Sequence, residues 1–98
     1  MQKDKLFRMQ VHDMFEIGDE GLALSGLIVT GRVEVGVVTV GDKVAIVSEK
    51  GYIRVAEVNS IEMSGKVTDT ATLGDDVGLL FTELRQADVS KGDIVQSQ

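Results

Sequence analysis

His12 is the only histidine in the chain, and Asp13 follows it directly. A Ser-His-Asp relay would have to rest on this pair, yet neighbouring side chains on a strand point to opposite faces, and no nucleophile stands in a supporting local context. A groove or surface histidine is the better reading. Asp69, Asp75 and Asp76 lack the alternating acidic spacing of a calcium loop, and one histidine with no cysteine cannot build a zinc site. Asp75-Asp76 reads instead as a solvated turn ahead of a strand. The string from Gly36 to Lys43 is the nearest approach to a phosphate-binding loop. Its lysine does not follow the second glycine, and β-branched residues fill a backbone that would have to wrap phosphates. A turn at Gly36, a short strand and a second turn at Gly41-Asp42 explain it better. No catalytic residue, metal site, cofactor or bound nucleotide is expected, and the chain reads as a non-enzyme.

The cations Arg8, Arg32, Lys43, Lys50, Arg54, Lys66, Arg85 and Lys91 are scattered. Tyr52, between Lys50 and Arg54, meets loosely the requirement of a base-stacking platform, an exposed ring flanked by positive charge. Half-buried packing at a strand start is the favoured reading for it. Phe15 is ambiguous between core and rim. With 16 acidic and 10 basic residues the formal net charge is −6, which repels phosphate at long range and disfavours non-specific nucleic-acid binding. No apolar run is long enough to span a bilayer, and no signal-peptide pattern follows Met1. Together with the absence of cysteine, this gives the expectation of a cytoplasmic protein that does not contact membranes.

The elements that must carry these residues are strands. Phe7, Met9 and Val11 alternate with Arg8, Gln10 and His12, and Ile53 and Val55 flank Arg54. Aromatic residues make up only 4% of the chain, so the core must be aliphatic and β-branched. The pattern predicts strands near 7–13, 22–35, 43–47, 52–63 and 76–81 and a last one around Ile94, the second and fourth bent or interrupted. Glu49-Lys50-Gly51 reads as a hairpin turn and Arg85 to Ser90 as a single helical turn ended by Gly92. Gly31 and Gly78, inside apolar runs, are expected to be bulges or bends. The expected core includes Val33, Val44, Ile46, Val55, Val58, Val77, Leu79 and Ile94. A chain of 98 residues holds one such core, so residues 1–98 are read as a single domain, ordered over about 7–96 with flexible termini.

From Ile61-Glu62-Met63 through Gly74-Asp75-Asp76-Val77-Gly78 to Asp88-Val89-Ser90-Lys91-Gly92, the chain resembles the closing half of the second domain of elongation factor Tu and related translational GTPases. Val29-Thr30-Gly31-Arg32-Val33-Glu34 and Val40-Gly41-Asp42-Lys43-Val44 extend the likeness, which covers about Phe7 to Val95. The resemblance implies an all-β fold: a single small, six-stranded, mainly antiparallel closed barrel. It also implies a pocket for the aminoacyl end of tRNA, formed by His12, Asp13, Met14 and Phe15 with Thr30 on the following strand and Asp76 on the far turn. Asp76 stands where the family has asparagine, which removes a donor and adds charge. Between Phe15 and Thr30 the chain is several residues longer than elongation factor Tu.

The function this resemblance implies is a non-enzymatic binding module contacting the tRNA 3′ end, the ribosome or a translation-related protein. The alternative is a protein-interaction or oligomerisation barrel that has lost the RNA role, with the acidic Gly18–Gly26 loop as the partner surface. A basic rim at Arg32, Arg54 or Lys66 would favour RNA, and an apolar patch at Leu22, Leu24 and Leu27 a protein. The chain carries no GTPase motif, so coupling to GTP hydrolysis would require a GTPase elsewhere. Met1 reads as a natural start and Ser97-Gln98 as the point where the family continues, leaving a stand-alone product and a domain of a larger factor both open.

Overall fold

A computed structural model describes residues 6–18 and 25–98. Its strands are β1 (Phe7–Gln10), β2 (Asp13–Gly18), β3 (Ser25–Thr39), β4 (Lys43–Val47), β5 (Ile53–Glu57), β6 (Ser60–Met63), β7 (Lys66–Thr68), β8 (Thr70–Thr72), β9 (Asp76–Phe81) and β10 (Ile94–Ser97), with a 3-10 turn at Gln86–Asp88. No helix among the described residues is long and apolar enough to cross a membrane.

The expected closed, six-stranded barrel is not formed. Ten strands curl into an open half-barrel whose hydrogen-bonded path runs β5-β4-β10-β1-β3-β9-β6-β7, with β2 and β8 each added to β3. All the pairings are antiparallel. The ends of the path, β5 and β7, do not pair: β5 has its ladder with β4, and β6 turns back into β7. The strand count rises because the expected strand over 52–63 breaks into β5 and β6, β2 follows β1 as a separate strand, and β7 and β8 form where none was expected, while the expected strand over 22–35 runs unbroken as β3. Between β1 and β2, the Val11 N–H donates to the Asp93 carbonyl and the His12 N–H to that of Thr30. Between β5 and β6, the Val58 N–H donates to Asp42 O and the Asn59 N–H to Leu80 O, which transfers the chain from the β4 side of the sheet to β9.

Phe7, Met9 and Val11 are buried while Arg8, Gln10 and His12 are exposed, as the alternation requires. Val33, Val44, Ile46, Val58, Val77 and Leu79 lie in the core with Leu27, Val29, Ile61, Phe81 and Val95. Val55 does not. It is 47% exposed and Ile53 67% exposed, while Ala56 takes the buried position on β5; Ile94 is only half-buried beside the fully buried Val95. The 3-10 turn is shorter than expected, and the Arg85 N–H donates to Asp88 Oδ2 at 2.8 Å across it.

The irregularity in β3 is not at Gly31. Arg8 faces Val35 and Met9 faces Val33, so Glu34 is the extra, bulged residue. Its carboxylate accepts a charge-assisted bond from Arg8. Gly31 is required by close approach: a Cβ there would stand 2.4 Å from the Gln10 carbonyl oxygen and 2.9 Å from Met9 Cγ. Gly36 bends β3 at φ +75°, its absent Cβ leaving room for Leu6 O, and its own carbonyl accepts from the Leu73 N–H.

Gly31→Ala is therefore expected to destabilise the domain by about 1–3 kcal/mol through overpacking against backbone. Gly41→Ala, where a Cβ would meet nothing within 4 Å and only φ +97° is strained, should cost about 1 kcal/mol. Urea unfolding of the two variants checks the order; equal losses would mean that the Gln10 contact is not limiting.

Candidate binding cleft

The register of three strands gathers residues that are distant in sequence. Across β2 and β3, Asp13 pairs with Thr30 and Phe15 with Ile28; across β3 and β9, Thr30 pairs with Gly78, Gly31 with Val77 and Arg32 with Asp76. A shallow cleft of about 370 Å³ opens over this junction, with His12, Phe15, Thr30 and Asp76 among its lining residues. Gly78 keeps the floor low. A Cβ there would press to 3.2 Å on Ile28 Cγ2 and 3.8 Å on Thr30 Cγ2. The Phe15 ring stays 47% exposed at the wall, which places it on the rim rather than in the core.

Two of the six expected residues do not line the cleft: Met14 is partly buried and packs against the core, and Asp13 is turned to other partners. Its Oδ1 accepts from the Met14 N–H at 2.8 Å and lies 3.8 Å from Lys91 Nζ, while its carbonyl accepts the Thr30 hydroxyl at 3.3 Å. Three lining residues not foreseen, Glu62, Ser64 and Gly65, come from the β6–β7 hairpin and form the far wall. Ser64 (φ 55°) and Gly65 (φ 79°) are both left-handed, as a two-residue hairpin turn demands. The Ser-Gly dipeptide was the signal that could have located that turn.

Asp76 is not the free charge its sequence context suggested. Arg32 Nε donates to its Oδ1 at 2.9 Å and Arg32 NH2 to its Oδ2 at 3.1 Å, a bidentate pair across directly opposed β3 and β9 positions. The hydrogen bond from Arg32 holds the Asp76 carboxyl below its ordinary value, against a smaller opposing desolvation, with further lowering from the charges of Arg32 and His12. The same bond raises the Arg32 guanidinium. Both side chains are well exposed, so the pair chiefly fixes charge at the cleft mouth and contributes little to stability. No group of three or more His, Cys, Asp or Glu side chains among the described residues is placed to hold a metal ion. The arrangement offers an exposed ring, a hydroxyl, an imidazole, the Glu62 carboxylate and a neutralised ion pair around an open floor, which suits non-covalent recognition of a flat or extended ligand end.

The family model described as elongation factor Tu domain 2 matches residues 26–96. The chain belongs to that family. The match includes Thr30 and Asp76, while His12 and Phe15 precede it. The domain is also similar to the crystal structure of translation elongation factor SelB from Methanococcus maripaludis in its apo form, with a TM-score of 0.80 and 25% identity. That likeness covers 97% of this chain and 19% of the other, so the domain spans about a fifth of the SelB chain.

Because the folded-state Asp76 value is depressed, its contribution to stability is complete above the ordinary carboxylate range and is lost as pH falls through the lowered value. Carboxyl NMR should find Asp76 titrating below a typical aspartate, and Arg32→Gln should move it back up. An Asp76 that titrates normally in the unmodified domain would contradict the bidentate pair.

Proposed function

We propose that this domain is a non-catalytic binding module and that the β2–β3–β9 cleft receives the aminoacyl 3′ end of tRNA. The observation that carries the reading is the convergence of His12, Phe15, Thr30 and Asp76 on one cleft, in a member of a family whose second domain helps to form that pocket. Phe15 supplies a face for stacking a terminal base or an aminoacyl side chain. The Thr30 hydroxyl, which donates to the Asp13 carbonyl and keeps its oxygen as an acceptor, and the His12 imidazole supply polar contacts. Arg32 offsets the carboxylate that replaces the family's asparagine, so the substitution leaves no unpaired negative charge facing the ligand. A ribosomal contact and coupling to a GTPase belong to the same reading and would involve surfaces beyond this cleft.

The protein-partner alternative through the Gly18–Gly26 loop falls largely on residues 19–24, outside the described residues. Leu22 and Leu24 of the suggested apolar patch lie there as well, and Leu27 is fully buried in the core. Of the suggested basic rim, Arg32 is paired with Asp76 and Arg54 with Asp88, while Lys66 is exposed beside the cleft's far wall.

The test is a backbone amide NMR titration with an aminoacylated minihelix and its uncharged form. Shifts are expected at His12, Phe15, Thr30 and Asp76, stronger for the aminoacylated form, and Phe15→Ala should weaken binding about tenfold. An unperturbed cleft at millimolar minihelix would sink the proposal.

A further inference from the structure

The open end of the half-barrel leaves β5 with a ladder on one side only, to β4. The Ser48 N–H donates to the Tyr52 carbonyl and the Val58 N–H to that of Asp42, and bonded positions alternate along an antiparallel strand. Residues 52, 54, 56 and 58 therefore turn their main-chain groups toward β4, and Ile53, Val55 and Glu57 turn theirs to the open side. Among the described residues, no hydrogen bond outside the ladder reaches the backbone of those three.

The edge is regular and apolar at its centre. The register holds over five pairs, and residues 53–57 include no proline, glycine or lysine to discourage a neighbour. On the outer face Ile53 is 67% and Val55 47% exposed, with Val47 and Ala45 directly across on β4. The two charges of the strand lie off that centre. Arg54 shares the inner face with the buried Ala56 and is held by Asp88 at 3.3 Å, while Glu57 ends the strand opposite Lys43.

An edge with this pattern is its own complement. A two-fold axis through Val55 sets residue 53 against 57 of the second strand and 55 against 55, so all three open positions become bonded pairs and about six main-chain bonds form. Val55 then meets Val55, Ile53 meets the stem of Glu57, and Arg54 faces Ala56. The neighbouring registers are poorer. An axis through Arg54 opposes the two guanidinium groups and leaves Glu57 unbonded, and an axis through Ala56 sets Val55 against Glu57 twice and leaves Ile53 unbonded. The other end of the sheet is a poor match for β5, since β7 has three residues and begins with Lys66. Pairing at β5 therefore closes on itself and does not continue into a filament.

We infer that the occupant of the β5 edge is β5 of a second copy of this chain, joined antiparallel about a two-fold axis at Val55. The joint is one strand wide on each side, far below the roughly 800 Å² per partner of stable complexes, so the dimer is weak, with a dissociation constant of about 0.1–1 mM. This surface is separate from the β2–β3–β9 cleft and does not depend on what that cleft binds.

The test is sedimentation equilibrium of the whole chain from about 0.05 to 2 mM, with isotope-filtered NOE spectra on a mixture of labelled and unlabelled protein. A monomer–dimer equilibrium is expected, with an intermolecular Hα–Hα contact between Arg54 and Ala56, the close non-bonded pair of that register. Val55→Lys and Val55→Glu change a half-exposed side chain and should keep the native spectrum. Each alone is expected to weaken association at least about tenfold, and mixing the two to restore it, because only an axis at Val55 brings position 55 of both copies together. Val55→Pro, which removes an outward N–H and no β4 bond, should weaken it to a similar degree. A monomer at every concentration, growth beyond dimers, an Arg54–Arg54 or Ala56–Ala56 contact, or failure of the mixed variants to associate would each overturn the inference.

Discussion

The 15-residue strand β3 is the constraint on which the rest of the domain rests, because it pairs with β1, β2, β8 and β9. Leu27, Val29 and Val33 point inward from its first part and Val38 from its last, all fully buried. Each such side chain contributes about 1.5–3 kcal/mol by leaving water. A strict two-residue alternation could not bury both odd and even positions of one strand. The extra residue at Glu34 resets the phase, and the left-handed Gly36 bends the backbone where β8 takes over from β9 as partner. A strand without that bulge would turn either Val33 or Val38 to solvent. The cleft depends on the same strand, since His12, Phe15 and Asp76 meet only through their bonds and register with residues 28–32.

How much of this was legible follows from where side-chain pattern carries information. The Phe7-Met9-Val11 alternation gave its strand and its buried face because polar residues occupy every intervening position. On β5 the sequence Ile53-Arg54-Val55-Ala56 is apolar on both parities, and the bulkier residues suggested the wrong face; Ala56 is the one that packs inward, opposite Val44. Strands β7 and β8 carried almost no signal, because Ala71 is their only buried residue. Closure was illegible for a different reason. It depends on whether the two terminal strands pair, and periodicity describes each strand separately.

The site divides along the same line. Family likeness identified four residues that line one cleft, but it could not foresee the β6–β7 wall or the turning of the Asp13 carboxylate toward Met14 and Lys91. The Arg32–Asp76 pair was equally hidden, as its members are 44 positions apart and are joined only by the β3–β9 register. From sequence, Asp76 looked like an uncompensated charge that would repel a phosphate-bearing ligand. From structure, its charge is matched at the same cross-strand position.

That matching constrains how the cleft can work. The formal net charge is −6, and Arg32 beside the cleft is engaged by Asp76, so on the proposed reading attraction of phosphates over distance would not drive binding. What remains is short-range: the exposed Phe15 face, the polar edge of His12 and Thr30, and a floor that Gly78 leaves open. Contacts of this kind reward a ligand end that fits and give little to an arbitrary length of nucleic acid. On that reading the acidic balance bears on selectivity: it would suppress non-specific association and leave recognition to a small surface whose geometry β3 holds in place.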